Sequence, residues 1–149
     1  MHRATPTKET EIMEKLDQIS TTIFFRLIQD IDDQNCSKRF DLHSYWPKCN
    51  GGIMAVHVEK IEDVGGYPSY SVAHYYKQNG DLMSDPEMTF VVVGNHIIPI
   101  SFTQHSLGVF EESVIDAEGG WMVKQQLHKN HVAFANHWMK NIKVQQDLI

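Results

Sequence analysis

The residues best suited to chemistry lie between Asp81 and Phe90, where Asp81, Asp85 and Glu87 follow an Asn79-Gly80 turn signal and precede an apolar run. Carboxylates this close in sequence could hold a hard cation through oxygen. Their spacing lacks the alternating ligands and closing Glu of an EF-hand loop. A nuclease-like Asp, Glu and Lys set is also missing, because Met88-Thr89 stands where the Lys is needed. The structural reading is that Asp85 hydrogen-bonds the turn backbone while Pro86 opens a strand. That reading is preferred. The metal reading, with Asp81, Asp85 and Glu87 as ligands and His74 as base or further ligand, describes a small metal-dependent hydrolase or nuclease.

Nine histidines are many for 149 residues. His128 and His131 are spaced to share one side of a helix, and His57 and His74 fall on neighbouring strands. Zinc needs three or four convergent ligands, and no spacing shows that convergence. His131 lies on an apolar stripe, where a hydrogen-bonded histidine at the core edge is the commoner case. No Gly-x-Ser-x-Gly elbow or phosphate-cradling glycine loop is present. Cys36 and Cys49 lie among loop residues, and a bridge between them stays open. Tyr45, Trp46, Tyr67, Tyr70, Tyr75 and Tyr76 offer stacking surface, although core packing explains most of them equally well. The binding candidates are therefore Asp81, Asp85, Glu87, His74, Tyr75 and Trp46, with no catalytic residue and no cofactor expected.

Two amphipathic helices must frame these residues. Ile12, Leu16, Ile19, Ile23, Leu27 and Ile31 recur at steps of three and four, which predicts five or six helical turns capped by Thr5 or Thr7. Residues 1–6 precede it as a loose end. Residues 34–52 read as a long aromatic loop rich in breakers. Strands are expected over 53–61, over 70–78, from Glu87 to Val93, from Ile97 to Thr103 and from Leu107 to Val114. Gly94-Asn95 is a hairpin signal that sets Val93 opposite His96, Val91 opposite Ile98 and Phe90 opposite Pro99. Pro99 must sit at a bulge or turn its missing donor outward. Both faces of that hairpin are apolar, so both need covers: one helix, then the second helix, the aromatic loop or another subunit. A turn over 116–120 leads to a final helix from about Trp121, with Leu127, His131, Phe134, Trp138 and Ile142 as its stripe. The expected class is α+β: an N-terminal helix, a five-stranded antiparallel meander and a C-terminal helix packed on the sheet, in one domain over 1–149.

The net charge of −6 disfavours nucleic acid, and the lysines near the C-terminus read as a solvated helix face. No apolar run approaches the ~20 residues of a membrane span. Met1 to Thr10 is polar, so the cytoplasm, with reduced thiols, is the expected compartment.

The motif Gly80-Asp81-Leu82-Met83, followed by Asp85-Pro86-Glu87-Met88-Thr89-Phe90, resembles an uncharacterised family of small bacterial accessory proteins. Their members are often encoded on bacteriophages, plasmids and integrative conjugative elements. Ser71 to Tyr76, Pro99 to Phe102, Leu107 to Glu111, and Phe134, Ala135, Trp138 and Asn141 extend the resemblance over about the last two-thirds of the chain. It implies a mobile-element context, and no catalytic residue is carried over from it. The leading expectation is a non-enzymatic module that binds a host or element-encoded protein. An obligate homodimer that buries the second sheet face is a further reading.

Overall fold

A computed structural model describes residues 13–41, 55–78, 81–118 and 120–148, with all their side chains except those of 76–78 and 81–84. Helix α1 is Gln18–Ile28. Its first turn is capped by Asp17, whose Oδ1 accepts the Ser20 N–H at 2.8 Å. The predicted helix was longer. Tertiary bonds hold the preceding residues extended: Leu16 N–H donates to Ile97 O, and Asp17 N–H donates to Asn136 Oδ1. At the other end Asp30 adopts a left-handed φ of 68°, which ends the stripe before Ile31. Leu16 and Ile31 still reach the core from outside the helix. Ile19 does not, and is 60% exposed. Thr5 and Thr7, the expected caps, lie outside the described residues.

The main sheet has six antiparallel strands in sequential order rather than five. These are β1 (Ser37–Phe40), β2 (Val56–Val64), β3 (Tyr67–Gln78), β4 (Asp81–Val93), β5 (His96–Gln104) and β6 (Val109–Glu112). Strand β1 arises inside the segment read as a loop; residues 42–52 of that segment, and the first two of the strand expected over 53–61, lie outside the described residues. The acidic stretch is strand, not loop, since Gln78 already pairs with Asp81. Between Ala73 and Tyr75 the β3–β4 register shifts by one residue at Asp85-Pro86, where the peptide bond is cis. The β4–β5 hairpin has the expected pairs, Val93 with His96, Val91 with Ile98 and Phe90 with Pro99. A bulge follows Pro99, where the strand tolerates its missing donor.

The expected fifth strand is divided. His105–Leu107 forms a 3-10 turn, Gly108 takes a left-handed φ of 64°, and β6 follows. Ser113 then turns the chain into a second, two-stranded sheet, β7 (Val114–Ala117) and β8 (Gly120–Val123). Trp121 therefore belongs to a hairpin, and helix α2 starts later, at Gln125–Gln145.

The inner sheet face packs both helices. Val56, Val58, Tyr70, Val72, Met88, Phe90, Val92 and Ile97 meet Phe24 and Leu27 of α1 and Ala135, Trp138, Met139 and Ile142 of α2. Phe24 sits against Phe90 at 4.9 Å between ring centroids. On the outer face Tyr67, Val91, Val93, Ile98 and Ile100 gather Met13, Val114, Trp121 and Val123 over them. The second cover of the β4–β5 hairpin is thus the chain's own β7–β8 hairpin, assisted by Met13.

Helix α2 also binds the segment ahead of α1. His128 Nε2 lies 2.8 Å from Glu14 N and 3.0 Å from Glu14 O. Ser20 Oγ donates to Asn136 O, and Lys140 Nζ donates to Asp17 Oδ2 at 2.7 Å. No helix among the described residues is long and apolar enough to cross a membrane.

Candidate functional site

Residues directly opposite in antiparallel strands point to the same face. The register therefore defines two cross-strand rows on the outer face, beyond the part that the hairpin covers. One runs Arg39, His57, Ala73, Glu87, Thr103, Phe110 across all six strands. The other runs Ser37, Glu59, Ser71, Thr89, Ser101, Glu112. Small side chains, Ser71 and Ala73, occupy the middle and are buried, while Arg39, Glu59, Glu112 and Phe110 stand exposed. Low centre and tall edges make a shallow concave surface. It deepens into a recess of about 250 Å³ lined by Ser37, Lys38, Arg39, His57, Val58, Glu59, Ser71 and Tyr75.

The recess is held by specific contacts. Ser71 Oγ–H donates to Glu87 Oε2 at 3.1 Å. The His57 and Tyr75 rings meet edge to face at 4.9 Å. Burial, then the Glu87 and Glu59 carboxylates, push the Tyr75 phenol above its ordinary range. Burial and the Arg39 guanidinium hold the His57 imidazole below its ordinary range, against an opposing pull from Asp41. Arg39 is itself paired with Asp41 at 3.0 Å. With Arg39 so paired, Lys38 in the recess lining stands against three carboxylates on this surface, Glu59, Glu87 and Glu112, and the balance is negative.

The sequence-predicted site residues divide among different places. Tyr75 lines this recess, and Glu87 adjoins it through its bond to Ser71. Asp85 stands at the bulge beside it, and its Oδ1 is buried with no partner among the described residues. Asp81 pairs with Gln78 in the ladder, and its side chain is not among those described. Trp46 lies outside the described residues. The register shift interrupts strand alternation between Asp85 and Glu87, so their two-residue spacing does not by itself put them on one face. Among the described residues no group of three His, Cys, Asp or Glu side chains is placed to hold a metal.

His74 faces the other way, into the inner core, where it is 6% exposed. Trp138 Nε1–H donates to His74 Nε2 at 3.0 Å, which places the proton on Nδ1 for donation to Ala55 O at 3.2 Å. Burial pushes its imidazole well toward the neutral form. Both ring nitrogens are occupied, so His74 ties strand to helix and is unavailable as a ligand or base.

His131 is the core-edge histidine that its stripe position suggests. It bridges Ser113 Oγ at 2.8 Å and Glu111 Oε1 at 3.0 Å, and stacks on Phe102. The group has the composition of a nucleophile–base–acid relay, but Ser113 is fully buried at the bend between β6 and β7. It fixes that bend rather than presenting a nucleophile. Cys36 is an exposed free thiol, and Cys49 lies outside the described residues.

Ser71, Ala73, Glu59 and Thr103 were not singled out from sequence. The signal was the alternation of Ser69, Ser71 and Ala73 with Tyr70, Val72 and His74: small residues at every second position mark a close-approach face.

A six-stranded antiparallel sheet with helices on one face and a hairpin over part of the other defines the class. The chain belongs to the family described as a domain of unknown function, DUF6908, whose model matches residues 23–148. That match takes in the whole six-stranded sheet, the β7–β8 hairpin and α2. No curated protein and no solved structure matches the chain.

Proposed function

We propose that this chain is a binding module, not an enzyme, and that it docks a protein partner across the open part of the outer sheet face. The observation that carries the reading is the pair of unbroken cross-strand rows, small and polar at the centre and rimmed by Glu59, Glu112 and Phe110. Excess carboxylate favours a partner that presents Lys or Arg, and Tyr75 and Phe110 offer aromatic faces to such cations. The histidine-centred groups that could support catalysis are committed to packing, which also favours binding over turnover. In the mobile-element setting that the Gly80–Phe90 motif suggests, the partner is a host or element-encoded protein, and the chain is an accessory factor.

The test compares tagged wild type, Glu59→Lys/Glu87→Lys and the control Glu62→Lys as baits in bacterial lysate. A protein retained by wild type and control but lost by the double variant supports the reading. Identical capture by all three, or no specific capture by wild type, overturns it.

A further inference from the structure

A second surface lies on the far side of the molecule from the sheet recess, on the helical layer. Gln18, Ile19, Thr22, Ile23 and Arg26 of α1 face Lys143 and Leu148 at the end of α2 across a valley of about 240 Å³. Ile19 keeps the helical period of the buried stripe, yet it is 60% exposed. A large aliphatic side chain on the apolar period with nothing over it marks an unfilled contact.

Charge identifies what fills it. The chain carries a net −6, yet among the described residues that line this valley there are two cations and no carboxylate side chain. Arg39, Lys60 and Lys140 are each paired with carboxylates. Arg26 and Lys143 have no ion pair among the described residues; Arg26 Nη1 donates to Gln29 Oε1 at 3.4 Å. The α1 side, from Gln18 to Arg26, is about 12 Å long at the helical rise, which matches roughly two turns of a third helix. The described walls of the valley are helix α1 and the end of α2, and a helix packs into the groove between two others.

We propose that this valley docks an acidic amphipathic helix of a partner protein, with aliphatic residues on Ile19, Ile23 and Leu148 and carboxylates on Arg26 and Lys143. The site is independent of the sheet recess.

A fluorescein-labelled peptide of about 14 residues, with Leu at helical spacing and Glu elsewhere, is the probe. Its anisotropy is titrated with wild type, Ile19→Asp and Arg26→Glu/Lys143→Glu, each first shown to keep the wild-type thermal transition. Binding by wild type that weakens about five- to tenfold in either variant supports the site. A matching gain by the double variant for the same peptide with Lys in place of Glu supports it further. Absence of binding by wild type, or equal binding by all three proteins, overturns it. So does loss of affinity for phosphatidylserine vesicles in the variants while peptide binding is unchanged, which would assign the valley to a membrane surface.

Discussion

Strands β3, β4 and β5 present a dry surface and a wet one on the same side of the sheet. Near the Gly94-Asn95 turn the outward residues are Ser69, Val91, Val93, Ile98 and Ile100, and the β7–β8 hairpin closes over them with Trp121 and Val123. One or two residues further along the same strands the outward set becomes Ser71, Ala73, Glu87, Thr89, Ser101 and Thr103, none of which belongs to the cluster under the hairpin. Backbone geometry is common to both parts. The difference is in side chains: burying Val or Ile stabilises by about 1.5–3 kcal/mol, whereas burying an unpaired hydroxyl or carboxylate costs energy. The hairpin lies where cover is favourable, and the polar part is the face proposed above for docking.

The largest expected effect comes from deleting volume in the dry part. Ile98→Ala is expected to cost about 2–5 kcal/mol, whereas Thr89→Ala in the wet part stays within about 0.5 kcal/mol. Urea unfolding of the two variants measures the contrast, and equal losses would erase it.

The hairpin's seat gives the next effect. Gly65 has a φ of +60°, and a Cβ placed there would overlap the Trp121 indole. Gly65→Ala should cost about 1–3 kcal/mol and shift Trp121 emission as the hairpin moves. Unchanged emission would mean that Trp121 does not seat against this turn.

The histidines sharpen the contrast between the inner and outer faces. Burial lowers the folded-state affinity of His74 and His128 for protons relative to the unfolded value of 6.5. The unfolded chain therefore protonates first as pH falls. Their stabilisation is complete above about pH 6.5 and is lost as pH drops toward the folded-state values. Melting temperature should decline over that acidic window. His74→Gln, whose amide oxygen can still accept from Trp138, should melt with a shallower pH slope, and an unaltered slope would remove His74 from the account.

The smallest effect lies in the recess. Glu87→Gln removes one of the charges that raise the Tyr75 phenol, so phenolate absorbance should develop at lower pH with little change in stability. A Tyr75 titration identical to wild type would separate the two residues.

The β4–β5 hairpin was legible in the sequence because two adjacent turn residues fix the register of everything around them. The need for two covers was legible for the same reason, as Phe90 and Val91 face opposite ways and both are apolar. The identity of the second cover was not, because Trp121 fits a helix start as well as a hairpin strand. Helix α1 was overextended because bonds from Leu16 to β5 and from Asp17 to α2 outweigh local periodicity. His74 was read as a binding candidate because its type suggests chemistry, whereas the partner that commits it to the core, Trp138, lies 64 residues away. At the candidate site Glu87 and Tyr75 were visible as types. Their company of Ser71, Glu59 and His57 required non-local pairing, and the single-residue shift at Asp85-Pro86 hid which carboxylates share a face.

The most direct test of the wet surface as a docking face is an amide NMR titration with a short Arg- and Lys-rich peptide. Saturable shifts at Ser71, Ala73, Tyr75, Glu87 and Thr103, with Ser69, Val91 and Ile98 unmoved, are the predicted result. Shifts centred under the β7–β8 hairpin, or none on the sheet, would contradict it.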